Sequence, residues 1–178
     1  MSWLEIVVAI GVVGFVIYQQ VAGQAVQGKR LIVLPAVLTV IGFLNLHAAR
    51  HIHPADIVWL TVGAIGSLLI GLAFGAMTRL QERNGALWAQ LPLRGLWLWV
   101  ALIAWRALIM VLAAKSGAHV AASTTPLLFT LGLNRLGQAA VIAARAMAAG
   151  IPFAPEKDGR TFLSGGLNDR RRDRSARY

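Results

Sequence analysis

The chain has 178 residues, of which 57% are hydrophobic and only 13% are charged, and its mean hydropathy is +0.65. Soluble domains carry roughly 25% charged residues, so this composition indicates a membrane protein with several spans and no separate soluble domain. The absence of cysteine excludes disulfides, thiol chemistry and cysteine-ligated metals within the chain, and the net charge of +10 comes with no nucleic-acid-binding motif.

Five apolar segments are long enough to cross the roughly 30 Å hydrocarbon core of a bilayer as helices. The first lacks the basic start and the small-residue cleavage site of a signal peptide, so we interpret it as a span. Pro35 falls in the first turn predicted for the second segment, Pro54 opens the third, and Gly150 ends the fifth. The sequence therefore predicts an all-α bundle of five transmembrane helices within residues 1–150, namely 3–21, 31–49, 54–77, 96–114 and 120–149.

Lysine and arginine outside the predicted spans are divided unequally between the two sides of the membrane. Five spans place twelve of them on the side of the C-terminus and only Arg50 and Lys115 on the other side. Because basic loops stay in the cytoplasm, we predict an outside N-terminus, a cytoplasmic C-terminus and a location in the plasma membrane.

Residues 151–178 form a predicted tail that is polar, basic and rich in glycine. The tail has no periodic apolar face, so we expect it to be largely flexible. Its arginines contribute about 1 kcal/mol each beside anionic headgroups, which favours membrane lipids as partners. A cytoplasmic protein is the alternative partner.

Three of the four histidines lie in or beside the second predicted loop, in the stretch LNLHAARHIHPAD. The first two are four residues apart and would share a helix face, but the second span ends near residue 49 and the third histidine precedes a proline. The fourth histidine is predicted on the same outer side. The histidines allow three interpretations: a polar cap at the membrane surface, a metal or haem site, and a pH-sensitive group. The candidate metal ligands are His47, His51, His53 and His119, with Asp56 as a carboxylate.

The third predicted span, in the sequence VGAIGSLLIGLAFGAM, has a small residue at every fourth position. Such a stripe lets two helix backbones approach closely, which is how helices associate in lipid. We predict that the stripe packs against a neighbouring span, and a homodimer interface is the alternative. Its members are Gly63, Ser67, Gly71 and Gly75.

Two arginines lie deep within predicted spans, one in the fourth and one in the fifth. A mid-bilayer arginine costs about 2.5–3.5 kcal/mol on insertion scales, so it usually faces a bundle interior or a wet cavity. No aspartate or glutamate is predicted at that depth, which leaves carbonyls, amides, water, lipid phosphate or an anionic ligand as partners. We predict either a ligand site or a structural polar network between these two spans, formed by Arg106, Asn134, Arg135 and Gln138.

The segment GLAFGAMTRLQERNGALW, followed by AWRALIM in the next span, resembles the CcdC-like family of small bacterial membrane proteins. The resemblance covers roughly residues 60 to 145 and rests on pattern more than on an exact motif. That family takes its name from a protein encoded beside cytochrome c maturation genes. The resemblance implies a multi-pass plasma-membrane protein with no agreed catalytic residues, and the lack of cysteine argues against direct thiol transfer.

These features favour a non-enzymatic accessory or assembly factor with a polar intramembrane cavity. The chain has no Ser/His/Asp arrangement, no paired carboxylates and no phosphate loop, which makes an enzyme the less favoured class. The alternatives are a carrier or sensor of a small anionic or carbonyl-bearing ligand at Arg106 and Arg135, and a metal- or haem-binding protein. Expected partners are lipids with anionic headgroups and a second membrane protein or second copy, with no nucleic acid; no cofactor is assigned.

Overall fold

A computed structural model describes residues 22–48, 53–83, 86–151 and 153. Four helices in these residues are long and apolar enough to cross a membrane, which is typical of a membrane protein with several spans. The predicted first span, 3–21, lies outside the described residues, and so does the predicted tail apart from residues 151 and 153.

The helices of the described residues follow the predicted second to fifth spans. A short 3-10 turn, Leu93–Gly95, directly precedes the helix of the predicted fourth span. The helices are α1 (Gly28–His47), α2 (Pro54–Met77), α3 (Leu96–Lys115), the single-turn α4 (His119–Ala122) and α5 (Leu127–Ala149).

Helices α2 and α5 form the centre of the bundle. α5 packs along both α1 and α2, and α2 also packs along α3, so neighbouring helices follow the order α1–α5–α2–α3. Close helix contacts occur at glycine: a Cβ added to Gly42 or Gly132 would enter the α1–α5 contact, and one added to Gly71 would meet the backbone of α5. Glycine therefore allows these helix pairs to approach more closely than larger residues would.

A small antiparallel sheet covers the end of the bundle where α2 ends and α3 begins. Leu87 is fully buried there against Ile142 and Ala146 in the last turns of α5. This sheet differs from the all-α prediction, which assigned these residues to loops. Its strands are β1 (Gln24–Ala25), β2 (Arg79–Arg83) and β3 (Ala86–Gln90), in the order β1–β3–β2.

The two ends of the bundle are therefore different. The end with the sheet, called here the sheet end, contains the start of α1 and the whole connection between α2 and α3. The opposite end, called the histidine end, contains His47, His53 and His119 at the other helix termini.

Pro35 lies inside α1 and not in its first turn, because α1 begins three residues earlier than the sequence predicted. A proline at this position cannot donate to the carbonyl of Leu31. The hydroxyl of Thr39 donates to the Pro35 carbonyl at 2.8 Å, which adds a side-chain bond next to the interrupted part of the helix.

The predicted fifth span, 120–149, is interrupted between α4 and α5. Ser123 after α4 has extended backbone angles (φ −82°, ψ −178°), and α5 begins after Pro126. Pro126 has no N–H and disfavours a helical conformation at Thr125. The 23 residues of α5 still extend about 34 Å, enough to cross a bilayer.

Candidate functional site

Arg135 on α5 contacts its own helix and α3, and its partner on α3 contacts α2. Its Nη1 donates to Oε1 of Gln138 at 2.9 Å, and its guanidinium carbon lies 5.7 Å from the ring centre of Trp99 on α3. This distance is within the range of a cation–π interaction. Trp99 in turn packs edge-on against Phe74 of α2, with ring centres 5.8 Å apart. An amide and an aromatic ring therefore stabilise this arginine.

Asn134 is buried in the contact between α5 and α2. Its side chain is 2% exposed, and its Nδ2 donates to the carbonyl of Ser67 at 2.9 Å. Its own backbone carbonyl lies where a Cβ on Gly71 would have to be. This predicted ligand residue is therefore part of the helix contact, where it sets how α5 lies along α2.

Arg106 on α3 reaches toward the histidine end. Its Nη2 donates to the carbonyl of Ser123 at 2.6 Å. Because Ser123 lies in the break between α4 and α5, this bond ties α3 to that connection. The Nε of Arg106 is buried without a hydrogen-bond partner, and it is the only such side-chain nitrogen or oxygen within the described residues.

The four residues predicted as one site make three separate contacts. Arg135 contacts Gln138, Asn134 contacts α2, and Arg106 contacts Ser123. Trp99, which Arg135 contacts, lies seven residues before Arg106 on α3, about 10 Å along the helix axis. The two arginines are therefore held at different depths, and α2 lies between α3 and α5 in the helix order.

Arg145 on α5 has a role that sequence reasoning missed. Its Nη1 donates to the carbonyls of Gly75, Ala76 and Thr78 at 2.8, 2.9 and 2.7 Å. These carbonyls belong to the C-terminal end of α2, whose last turn carries no basic residue of its own. A cation there donates to carbonyls that have no partner within the helix. It also interacts favourably with the negative end of the helix dipole.

Asp56 bridges the beginnings of α2 and α4. The carboxylate is 2% exposed; its Oδ2 accepts from the N–H of His53 at 3.0 Å and its Oδ1 accepts from the N–H of Ala121 at 2.9 Å. With His53, it completes a capping box at the start of α2. Both oxygens of this candidate metal ligand therefore accept bonds from helix N–H groups.

The described histidines lie at helix termini. His53 caps α2, with its Nδ1 accepting from the N–H of Ala55 at 3.4 Å, while His47 stacks on a phenylalanine of its own helix and His119 opens α4. Among the described residues, no group of three or more His, Cys, Asp or Glu could hold a metal ion. His51 lies outside those residues, so a site that includes it stays a prediction.

The small-residue stripe of α2 is buried and faces two different helices. Gly71 and Gly75 lie against the backbone of α5, where an added Cβ would clash. Ser67 accepts from α5 through its carbonyl. Gly63 faces Ile109 of α3, and a Cβ there would make an ordinary contact at 3.5 Å. The stripe therefore contributes to packing within one chain.

In comparisons with known proteins, no protein family, curated protein or solved structure matches the chain. The resemblance to the CcdC-like family stays a prediction.

Proposed function

We propose that this chain is a non-enzymatic, multi-span membrane protein that acts as an accessory or assembly factor for another membrane protein. The supporting observation is how its buried polar residues are used. Ser67 accepts through its backbone from a neighbouring helix. The other buried polar residues of the described chain bond to its backbone through their side chains, and these are Asp56, Thr78, Thr130 and Asn134. These five buried polar residues thus stabilise the fold, which favours a structural role over substrate handling.

Helix α1 is the surface that we assign to the partner. It packs against α5 on one side, and large apolar side chains on its remaining surface are exposed. In lipid, two such helices associate by van der Waals packing, and no buried polar group has to be exposed. The exposed residues include Leu34, Val37, Val40, Ile41 and Leu44.

The proposed arrangement has five spans, with residues 3–21 as the first, an outside N-terminus and a cytoplasmic C-terminus in a bacterial plasma membrane. In its support, the pairing of β1 and β2 with β3 brings the start of α1 and the α2–α3 connection to the same end of the bundle. Because basic segments stay in the cytoplasm, the sheet end is then the cytoplasmic end. Its described basic residues are Lys29, Arg30, Arg79, Arg83, Arg94 and Arg145, the last bonded to the end of α2, whereas Lys115 lies at the histidine end.

Photo-crosslinking in native membranes tests the accessory role. A photo-reactive amino acid is placed at Leu34, which is 64% exposed on α1, and as a matched control at Val111, which is 53% exposed on α3. We expect a discrete adduct with a second, different polypeptide from Leu34 and lipid adducts alone from Val111. Lipid adducts alone at both positions, or adducts only with further copies of the same chain, would contradict the proposal.

A carrier or sensor of a small anion is the second candidate, and the unpaired Nε of Arg106 favours it. A carboxylate or carbonyl ligand would supply the acceptor that this buried donor lacks. Thermal unfolding in the presence of small carboxylates and phosphate tests this candidate. The carrier or sensor role requires a ligand that raises the melting temperature of the native chain and has no effect on the melting temperature of a folded Arg106→Gln variant. If no such ligand raises the melting temperature, the accessory role stands alone.

A further inference from the structure

We propose a binding site for one anionic phospholipid at the sheet end, formed by the outer face of the sheet and an apolar groove at the start of α3. The headgroup phosphate binds to arginines of the sheet end, and an acyl chain lies in the groove. This inference rests on the bundle lying in a membrane and is independent of the accessory role.

The outer face of the sheet carries two exposed arginines. Arg79, Gln81 and Arg83 share this face because side chains alternate along a strand, and all three are exposed. Trp88 of β3 is paired with Gln81 and lies on the same face. The opposite face carries Leu87, which is fully buried against α5. The arginine face therefore points away from the bundle.

The chemistry of this face matches a lipid headgroup. The guanidinium carbon of Arg83 lies 5.1 Å from the ring centre of Trp88. Tryptophan is enriched where membrane meets water, and a guanidinium binds phosphate through paired donors. Arg79 follows only two residues after Met77, the last residue of α2. Arg79 and Arg83 thus lie next to a predicted membrane-crossing helix, which favours a lipid over a soluble acidic protein as the ligand.

An open apolar groove of about 260 Å³ lies at the start of α3 and is lined by Leu93, Leu96, Trp97 and Val100. Trp97 is 76% exposed and Leu93 is 70% exposed. The exposed Arg94 lies between the first two lining residues in the sequence. It is four residues from Gln90, the strand partner of Arg79, so at most about 14 Å of chain separates them. The groove therefore begins near basic side chains.

Charge at the sheet end selects for an anionic headgroup. Glu82 is the one acidic residue among the described residues at this end, and strand alternation places it on the face of β2 opposite Arg79 and Arg83. Basic side chains beside an anionic membrane surface contribute about 1 kcal/mol each. The site should therefore prefer phosphatidylglycerol to phosphatidylcholine. The described basic residues of this end that are not bonded to the end of α2 are Lys29, Arg30, Arg79, Arg83 and Arg94, whereas Arg145 is bonded there.

Thermal unfolding of the full chain in mild detergent tests this site by titration with short-chain phosphatidylglycerol or phosphatidylcholine of equal acyl length. We expect phosphatidylglycerol to raise the melting temperature at lower concentration than phosphatidylcholine does. The triple variant Arg79→Gln/Arg83→Gln/Arg94→Gln should bind phosphatidylglycerol at least about tenfold more weakly. The Lys115→Gln control removes a charge at the opposite end and should bind as the native chain does. Trp97→Ala should weaken binding of either lipid.

Equal stabilisation by the two lipids, or unchanged binding by the triple variant, would overturn the proposal. Equal stabilisation by glycerol 3-phosphate would overturn it as well, because the site would then take a free phosphate and no acyl chain. A disulfide between Val100→Cys and a cysteine introduced within residues 3–21 would show that the N-terminal segment fills the groove instead. If the triple variant fails to fold, Arg94→Gln alone, on an exposed turn, gives the same comparison. These outcomes do not depend on the accessory role. They would be the same if photo-crosslinking at Leu34 gave no adduct with a partner protein.

Discussion

Asn134 and Gly71 meet where α5 lies closest to α2. The side chain of Asn134 donates to Ser67, and its carbonyl lies against Gly71. One residue of α5 therefore makes both a polar and a steric contact with α2. Because side chains in a packed interior shift little, a single added methyl group at this point should strain the packing of α5 against α2.

Gly71→Ala should lower the free energy of unfolding by about 1–3 kcal/mol, since the new Cβ meets backbone that cannot move aside. Gly63→Ala is the matched control in the same stripe, because its Cβ finds Ile109 at an ordinary 3.5 Å. Reversible unfolding in mixed detergent micelles measures both variants. Equal losses of stability would show that the close approach at Gly71 is not what matters.

Asn134→Ala should lower the free energy of unfolding by about 0.6 kcal/mol and by at most about 1.7 kcal/mol, the average and the maximum for hydrogen bonds between membrane helices. The variant removes the donor to the Ser67 carbonyl. Asn45→Ala, at an exposed position of α1, is the control and should change stability much less. The same unfolding titration compares the two variants, and a result in which Asn45→Ala costs as much would contradict this role.

Only part of the candidate site could be predicted from the sequence. Arg106 and Arg135 stand out in the sequence because they lie deep in apolar segments with no acidic residue at that depth. Their partners depend on which helices touch. Because both arginines were predicted at similar depth, the sequence indicated one ligand site or polar network between the fourth and fifth spans. In the structure α5 packs on α1 and α2 instead, and Asn134 and Arg145 bond to α2.

At the scale of elements, α4 depends on α2 for its stability. A helix of four residues cannot stabilise itself, because nucleation is unfavourable and few of its own hydrogen bonds form. The carboxylate of Asp56 accepts from Ala121 within α4. The buried cluster of Ala113, Ala118 and Ala121 at the histidine end adds apolar packing around the same turn.

Asp56→Ala should accelerate amide hydrogen exchange at Ala121 by about tenfold, since loss of a cap costs typically about 1 kcal/mol and a further bond is lost with it. Glu82→Ala removes an acidic side chain at the opposite end and serves as the control. Exchange measured by mass spectrometry over residues 116–126 compares the two variants. Unchanged exchange in Asp56→Ala would contradict the bridging role of the carboxylate.

Element boundaries were predictable where a local signal marks them. Pro54 and the following Asp56 mark the start of α2, and α2 covers the predicted residues 54–77. The hairpin of β2 and β3 was missed, although Arg83 pairs with Ala86 and the two residues between them in the sequence are Asn-Gly. Asn-Gly is a strong hairpin signal, but a short polar strand between two apolar segments has no periodic apolar pattern to reveal it.

At the scale of the whole molecule, the helix order and the sheet define two ends that differ in charge. The proposed orientation follows from this difference, because the described basic residues outside the helix interiors gather mostly at the sheet end. Since the chain contains no cysteine, single cysteines can report on each end without a background.

Gln81→Cys and Thr124→Cys place one thiol at each end, both at exposed positions. In intact cells, a membrane-impermeant maleimide should label Thr124→Cys and should label Gln81→Cys only after the membrane is permeabilised. Each variant serves as the control for the other. The opposite labelling pattern would reverse the proposed orientation, and labelling of both in intact cells would place both ends outside.

We propose that the intramembrane polar groups stabilise this fold and are not held for a ligand. The free energy of unfolding of Arg106→Gln and Arg135→Gln, measured with no ligand present, distinguishes these two roles. We predict that each variant is less stable than the native chain by about 1 kcal/mol or more, because bonds to Ser123 and Gln138 are lost. An arginine kept only for a ligand costs stability in its absence. Equal or greater stability of both variants would therefore contradict the claim.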